Sequence, residues 1–471
     1  MNNGNMIPSL NNSLPPFLQT LLDDLHHLIG PIYLVGGAVR NGLQGKPPTN
    51  DLNILVARSL AECRKMLNEG GYSPGMASSR HNVLFLPLKG CERPKTVEIS
   101  TFRHRPSQSP SVEEDLLQRD ITVNAMAYLW PNGPVIDPFN GQEDLTNRKT
   151  RLVNGATTLI DDPLRALRFF RFSLQLSSDP ESVDLARSSE TLLNNVMPDR
   201  IRVELDRIFS FPLRTEPTQK LFIYLLNSTL GKNLLPELAL LKSVRDKSNP
   251  QRTVWQRTIQ TILSLSTIPP DEDLSLLELR WSALLIGISS TCSETEQLFS
   301  SDGLKSSQEE SSFCCKQILE KFCFSKRRQR RIINLLQHLN LDSDPSDRVL
   351  KRLLNDSVPL EGLYRIHHAW NQAGLTDQSP NSLERRRQEE QTLQLILDRC
   401  RGIRRSKFRP RANDLAISGG DILNLVRKPP GPWLGKLQHQ LVDCINDDPS
   451  LNRPEILNKK ILEWILTQDS L

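Results

Sequence analysis

Asp51 and Asn53 lie two residues apart in the apolar run that ends at Val56, so an extended strand turns both to one face. Paired carboxylates in that arrangement chelate hard divalent cations, which steer an in-line displacement at phosphorus. Here the second member is an asparagine, whose neutral carbonyl oxygen is a weaker ligand. Glu98, on the run Val97–Phe102, is a candidate compensating carboxylate; its plain alternative is an exposed strand residue. Upstream, Ile32–Val35 reads as a buried strand that enters Gly36-Gly37 and then a helix carrying Arg40. Such a turn lets an anion approach backbone N–H groups, and a guanidinium one turn later would hold a triphosphate. The same pair of glycines equally serves a tight packing turn.

Two further constellations follow. Gln118-Arg119-Asp120 precedes Asn124, and Asp161-Asp162 precedes Arg165 and Arg168 on a helical pattern. At three or four residues' spacing, an Asp–Arg pair on a helix also has an ordinary reading as a surface ion pair.

The elements that must carry these groups fall into two regimes. Up to about residue 150, short apolar runs alternate with Gly, Pro and polar breaks. Strands are expected at Ile32–Val35, Leu52–Val56, Val83–Leu86 and Val97–Phe102, with helices over 17–29 and near 59–68. Beyond about 155 the apolar positions recur every three to four residues, as at Leu164, Leu167, Phe170 and Leu174. Residues 1–16 (MNNGNMIPSLNNSLPP) read as a disordered leader without the basic and apolar regions of a secretion signal.

The chain has 471 residues, 38% hydrophobic and 24% charged, which suits a globular protein of about three domains and excludes a disulfide miniprotein. No apolar stretch reaches the ~18 residues of a membrane span. The net charge of +5 permits a nucleic-acid partner without demanding one. Eight cysteines without CxxC spacing read as reduced thiols of a cytoplasmic protein rather than zinc ligands.

Taken in order, these residues resemble one family. GGAVRN (36–41) with DLN (51–53), Thr101-Phe102-Arg103, QRDITVNA (118–125), DPFNGQEDL (137–145) and DDPLR (161–165) are similar to the ordered motifs of class II tRNA nucleotidyltransferases. That group also contains bacterial poly(A) polymerases, and its head is DNA polymerase beta-like. Later markers, LLPEL (234–238), ISGGDIL (417–423) and GPWLG (431–435), extend the resemblance over residues 30–465.

The resemblance implies an α+β fold: a small nucleotidyltransferase head with a mixed sheet and helices, then an elongated all-helical neck, body and tail. The divisions expected are a head over 17–150, a neck over 151–242, a body over 243–400 and a tail over 401–471. It implies Mg²⁺ at Asp51 and Asn53, with Glu98 beside them, and a triphosphate on Gly36, Gly37 and Arg40. Arg119, Asp120 and Asn124 would meet the ribose. Asp162 and Arg165 would read a C or A edge, since both bases offer an exocyclic donor beside a ring acceptor, and Asp161 and Arg168 would also bind the nucleotide.

Against the family pattern, Asn53, Asn41, Gln118 and Asp161 replace Asp, Asp, Arg and Glu. Only 15 residues (104–118) separate Arg103 from Arg119, where relatives have a longer segment tied to adding the terminal A. CC addition is therefore as open as CCA addition.

The helical half carries basic runs at Lys326, Arg327, Arg328, Arg330 and Arg331, at Arg385–Arg387, and from Arg399 through Arg404 and Arg405 to Arg411. They suit binding to RNA phosphates, or simply a solvated face. The expected activity is template-independent addition of C and/or A from CTP and ATP to the 3′ end of tRNA, in the cytoplasm. The alternatives are a poly(A) polymerase of the same family and a catalytically impaired tRNA-binding paralogue, for which Asn53 is the discriminating feature.

Overall fold

The computed structural model describes residues 7–76, 83–88, 90, 93–103, 110–228, 234–265, 275–297, 307–338, 345–355, 358–374, 380–405 and 411–468. The chain divides into two compact units: residues 1–208 with 220–234, and residues 209–219 with 235–471. This division is coarser than the four segments expected from sequence.

The first unit is built on a seven-stranded mixed sheet. Its strands are β1 (Ile32–Val35), β2 (Asp51–Val56), β3 (Gly75–Met76), β4 (Val83–Pro87), β5 (Thr96–Thr101), β6 (Ala127–Leu129) and β7 (Val135–Ile136), in the order β3-β4-β5-β2-β1-β6-β7. β2 and β5 run parallel with Leu52 opposite Val97 and Asn53 opposite Glu98; β1 is antiparallel to β2 with Val35 opposite Asn53. Alternation then decides the faces. Leu52, Ile54, Val97 and Ile99 point one way and are buried. Asp51, Asn53 and Glu98 point the other way.

The helices begin earlier than the sequence suggests. α1 (Ile7–Asn12) precedes α2 (Pro16–Ile29), so residues 7–16 are not a disordered leader. The reason is burial: Leu10 and Leu14 are 0% and 4% exposed, and Asn11 donates to the Pro131 carbonyl at 2.9 Å. Leu10 sits over Gly42 of α3 (Gly37–Leu43), where an added Cβ would come to 2.7 Å of its Cγ. In α2, Leu18, Leu22, Leu25 and Ile29 fall at helical spacing and are buried. Each such side chain contributes roughly 1.5–3 kcal/mol. α4 (Leu60–Glu69) starts at a capping box made by Ser59 and Glu62.

Past the strands, α5 (Val112–Leu117) closes a small core with Val35, Leu55 and Ala127 on the site face of the sheet. A 3₁₀ turn (Thr122–Asn124) is braced by α6 (Gly141–Thr146). Asp137 caps α6 by accepting from the Gly141 and Gln142 N–H groups at 2.7 and 2.9 Å. Asp144 accepts from Thr122 and pairs with Arg151 at 2.9 Å. The DPFNGQEDL motif is thus a support for the turn that carries Asn124. α7 (Gly155–Asp161), α8 (Leu164–Ser173), α9 (Pro180–Ser188) and α10 (Pro198–Phe209) follow.

Among its described residues the second unit is helical apart from a two-stranded ribbon. Trp281 stacks on Phe209 at 4.8 Å, and the buried Arg280 donates to the carbonyls of Phe209 and Phe211 at 2.7 and 2.6 Å. At its C-terminal end a separate core gathers Leu415, Ile422, Leu437, Leu441, Ile445 and Leu457. There the ISGGDIL marker is a Ser418–Asp421 capping box. The described cysteines 63, 314, 315, 323, 400 and 444 are free thiols. No described helix is long and apolar enough to cross a membrane.

If α1 is an integral part of the first unit, Leu10→Ala leaves a cavity above Gly42. Urea unfolding of that variant is expected to show a loss of about 2–4 kcal/mol; an unchanged midpoint would mean that α1 does not hold its place.

Candidate functional site

The front face of the sheet opens on a cavity of about 1160 Å³. Its floor is Asp51, Asn53 and Glu98, brought together by the β2–β5 register. Burial and the neighbouring Asp51 carboxylate push Glu98 above the ordinary glutamate range. Among the described residues no group of three His, Cys, Asp or Glu side chains gathers to hold a metal. The donor set here is two carboxylates and one amide oxygen.

One wall is the β1–α3 turn. Gly36 has φ +66°, a left-handed value that favours glycine, and Arg119 Nη1 would lie 3.3 Å from a Cβ there. A Cβ on Gly37 would meet Thr49 Cγ2 at 2.9 Å. Backbone conformation at Gly36 and packing against Thr49 at Gly37 therefore favour glycine, whatever else the turn does. Thr49 in turn donates to the Asp51 carbonyl at 2.7 Å.

The opposite wall is made of arginines, each fastened to a buried acid. Asp115, fully buried, accepts from Arg103 at 2.9 Å and from Arg119 at 2.8 Å. Burial pushes its carboxyl up, but these two guanidinium groups outweigh burial and hold it below the usual range. Asp120, 6% exposed, accepts from Arg168 Nε at 2.8 Å, from the Ile121 N–H at 2.9 Å and from Asn124 at 3.4 Å. Burial again opposes ionisation, yet Arg168 and these hydrogen bonds hold Asp120 at about 2, against an ordinary 3.8. Asn124 passes the connection on, accepting from Arg40 Nη1. Arg40 also donates to Asn41 at 3.0 Å and lies 5.2 Å from the centre of the Phe172 ring. Burial and the nearby Arg171 lower Arg40 to about 10, which leaves it charged at neutral pH.

Of the residues expected at the site, Gly36, Gly37, Arg40, Asp51, Asn53, Glu98, Arg119, Asp120, Asn124 and Arg168 line this one cavity. Asp161, Asp162 and Arg165 do not line it. Asp162 pairs with Arg200 at 2.9 Å, and Arg165 donates to the Gln118 carbonyl at 2.6 Å. Gln118 does line the cavity, so Arg165 braces the wall from behind. Among the lining residues that no motif marks are Arg171 and Phe172 of α8 and Arg207 of α10. On sequence alone they read as amphipathic helix. The one available signal is Glu204, three residues before Arg207, which joins Arg171 at 2.8 Å and Arg207 at 2.6 Å.

The basic runs of the second unit are partly consumed by acids. Arg331 faces Glu278 at 3.3 Å, Lys326 faces Glu320 at 3.3 Å, and Arg401 and Arg404 approach Glu361 at 3.4 and 3.9 Å. Arg328 lies over the Phe324 ring at 4.6 Å, while Arg327 and Arg330 are exposed. The side chains of Arg385, Arg386 and Arg405, and residues 406–410, lie outside the described residues.

A family model described as the Poly A polymerase head domain matches residues 32–151. A multifunctional CCA protein of Cupriavidus metallidurans is 32% identical over 245 residues, 49% of this chain and 56% of that protein. A CCA-adding enzyme of Streptococcus mutans is 31% identical over 268 residues, 54% of this chain and 59% of that protein. The chain thus spans a little over half the length of these relatives. The crystal structure of the Bacillus stearothermophilus CCA-adding enzyme in complex with CTP superposes with TM-score 0.64 at 20% identity, covering 97% of this chain and 99% of that one. The Thermotoga maritima CCA-adding enzyme complexed with tRNA gives TM-score 0.52 at 18% identity, covering 98% of each. At these identities the likeness is one of fold.

The Asp120 pairing has a measurable consequence. Its folded-state value lies below the unfolded one, so its contribution is present above about pH 4 and is lost as pH falls toward 2. The wild type is expected to exceed Asp120→Asn by about 2 kcal/mol in denaturant unfolding at neutral pH. That difference should close on acidification, and a difference independent of pH would contradict the assignment.

Proposed function

We propose that this chain, a member of the class II tRNA nucleotidyltransferase and poly(A) polymerase family, adds C and/or A from CTP and ATP to the 3′ end of tRNA without a template. The observation that carries the reading is the meeting of Asp51, Asn53 and Glu98 with an arginine wall across one cavity. Acidic oxygens on one side and fixed cations on the other are what a reaction at phosphorus needs.

The donor set fits a hard divalent cation. The β2–β5 register turns three oxygen-bearing side chains to one spot, and burial beside the Asp51 carboxylate leaves Glu98 in want of a positive partner. Asp51, Asn53 and Glu98 would hold Mg²⁺. When bound, such an ion supplies Lewis-acid stabilisation of the charge that develops on phosphate oxygens.

The chain's own residues do the rest. Arg40 and Arg119, held by Asn124 and Asp115, bind the triphosphate and balance the departing pyrophosphate as the RNA 3′-hydroxyl attacks the α-phosphorus. Asn124, turned by Asp120, faces the sugar. Selection of C or A by Asp162 and Arg165 requires both to exchange their present partners, Arg200 and the Gln118 carbonyl. The short 104–118 segment favours CC addition over full CCA addition; residues 104–109 lie outside the described residues. The setting we assign is the cytoplasm.

A second reading, a tRNA-binding paralogue without catalysis, rests on Asn53. The two are separated by incubating purified protein and Mg²⁺ with tRNA ending before, within and after CCA, with CTP and ATP singly and together. Extension by one to three nucleotides, sized on a gel, is expected. Asp51→Ala should slow it at least about 100-fold, and Glu98→Gln should raise the Mg²⁺ concentration needed for half-maximal rate. An inert natural chain that Asn53→Asp makes active would establish the second reading instead.

A further inference from the structure

Behind Asp51 lies a second cavity, of about 490 Å³, that the proposed chemistry leaves unused. It is lined by the α3–β2 loop and by Arg93 and Arg207. The loop is held in shape by its own hydrogen bonds: Asn41 donates to the Pro47 carbonyl at 2.9 Å, and the Lys46 N–H to the Asn41 carbonyl at 2.9 Å. Lys46, Arg93 and Arg207 supply three cations, and Asp51 is the one carboxylate among the described lining residues. Among those residues the two cavities share only Thr49, Asp51 and Arg207.

Arg207 is fixed from below. Glu204, 3% exposed, accepts from Arg207 Nη1 at 2.6 Å and from Arg171 Nε at 2.8 Å. One buried carboxylate thus sets a guanidinium on the boundary between the cavities and another in the larger one.

We propose that the smaller cavity seats the terminal phosphodiester of the RNA acceptor strand on Lys46, Arg93 and Arg207. Glu204 is the positioning residue for Arg207. The inference rests on the nucleotidyltransferase reading and adds a location for the second substrate. An in-line displacement needs the attacking hydroxyl and the leaving pyrophosphate on opposite sides of the α-phosphorus. The larger cavity holds Arg40 and Arg119 and takes the triphosphate. A basic compartment that shares Thr49, Asp51 and Arg207 with it, Asp51 being the proposed metal ligand, is then on the attacking side. Its ligand is an anion, because three cations face one carboxylate; a phosphodiester of a strand that ends at Asp51 meets that demand.

The test uses the full chain and an acceptor-stem RNA ending in CC or one nucleotide earlier. In Lys46→Ala/Arg93→Ala, KM for the RNA should rise about tenfold, with KM for CTP within about twofold of wild type; Arg207→Ala, whose side chain lines both cavities, should raise the RNA KM likewise. Glu204→Gln should raise the RNA KM in the same direction. Arg207→Lys should recover part of the loss, which a general packing defect at Arg207 would not allow.

Direct binding of the labelled RNA without nucleotide, followed by anisotropy across salt concentrations, gives a second readout. The double variant should show a slope of log affinity against log salt shallower by about 0.7–0.9 for each phosphate it no longer neutralises. A raised KM for CTP or weakened inhibition by pyrophosphate, with RNA KM unchanged, would make this a pyrophosphate seat and overturn the proposal. Unchanged RNA binding and unchanged KM values would overturn it as well. If the wild type extends no RNA, the nucleotidyltransferase reading falls, while the binding measurement still decides whether the cavity takes an acceptor strand.

Discussion

Five arginines of like charge are held around one cavity because three buried acids hold them there. Asp115 takes Arg103 and Arg119, Asp120 takes Arg168, and Glu204 takes Arg171 and Arg207. Desolvation makes buried ion pairs poor contributors to net stability. Their effect here is geometric, since a guanidinium bonded to a fixed carboxylate has little freedom left to follow solvent or a neighbouring charge. Arg40 shows the repulsion that remains: its described hydrogen-bond partners are amide oxygens, and burial with Arg171 nearby lowers it to about 10. A multiply charged anion relieves that repulsion, whereas a neutral ligand would not.

The sheet sets the other side of the cavity by register alone. Parallel pairing of β2 with β5 places Asn53 beside Glu98, and antiparallel pairing with β1 places Val35 next to Asn53. A slip of one residue would turn all these groups to the hydrophobic face. The register is secured from behind by Leu52, Ile54, Val97 and Ile99, all fully buried. Residues that look unrelated to chemistry therefore determine whether the chemical groups meet. The same holds for Asp137 and Asp144, which act on the site only through the turn that carries Asn124.

Much of this is legible in the sequence because local spacing carries it. Strands β1, β2, β4 and β5 and helix α2 follow from apolar runs and helical periodicity, and the i, i+2 placement of Asp51 and Asn53 follows from the strand. Strands β3, β6 and β7, two or three residues long, are too short to show alternation. The helix at Ile7–Asn12 escapes a reading by composition because its polar Asn11 is matched by partners distant in the chain. Ion pairing is the hardest to read. Asp162 has Arg165 at a helical spacing, yet it pairs with Arg200, 38 residues on. Arg171, Arg207 and Glu204 form one unit only after α8 and α10 come together, and no motif marks them.

The replacement at position 53 is best understood through its neighbour. Glu98 is already raised by burial and by the charge of Asp51. An aspartate at position 53, directly opposite Glu98 in the ladder, would add a second negative charge at short range and push Glu98 higher still. Asparagine keeps an oxygen donor at that register position without the added repulsion, so Glu98 remains easier to ionise. The site then offers two carboxylates and one dipole where three carboxylates would compete for protons. Such a set binds a cation less tightly on its own. It depends more on the charge that a nucleotide's phosphates bring with them. In the proposed reaction, the arginine wall that would draw those phosphates in and the asparagine that leaves the floor less acidic are thus two halves of one electrostatic balance.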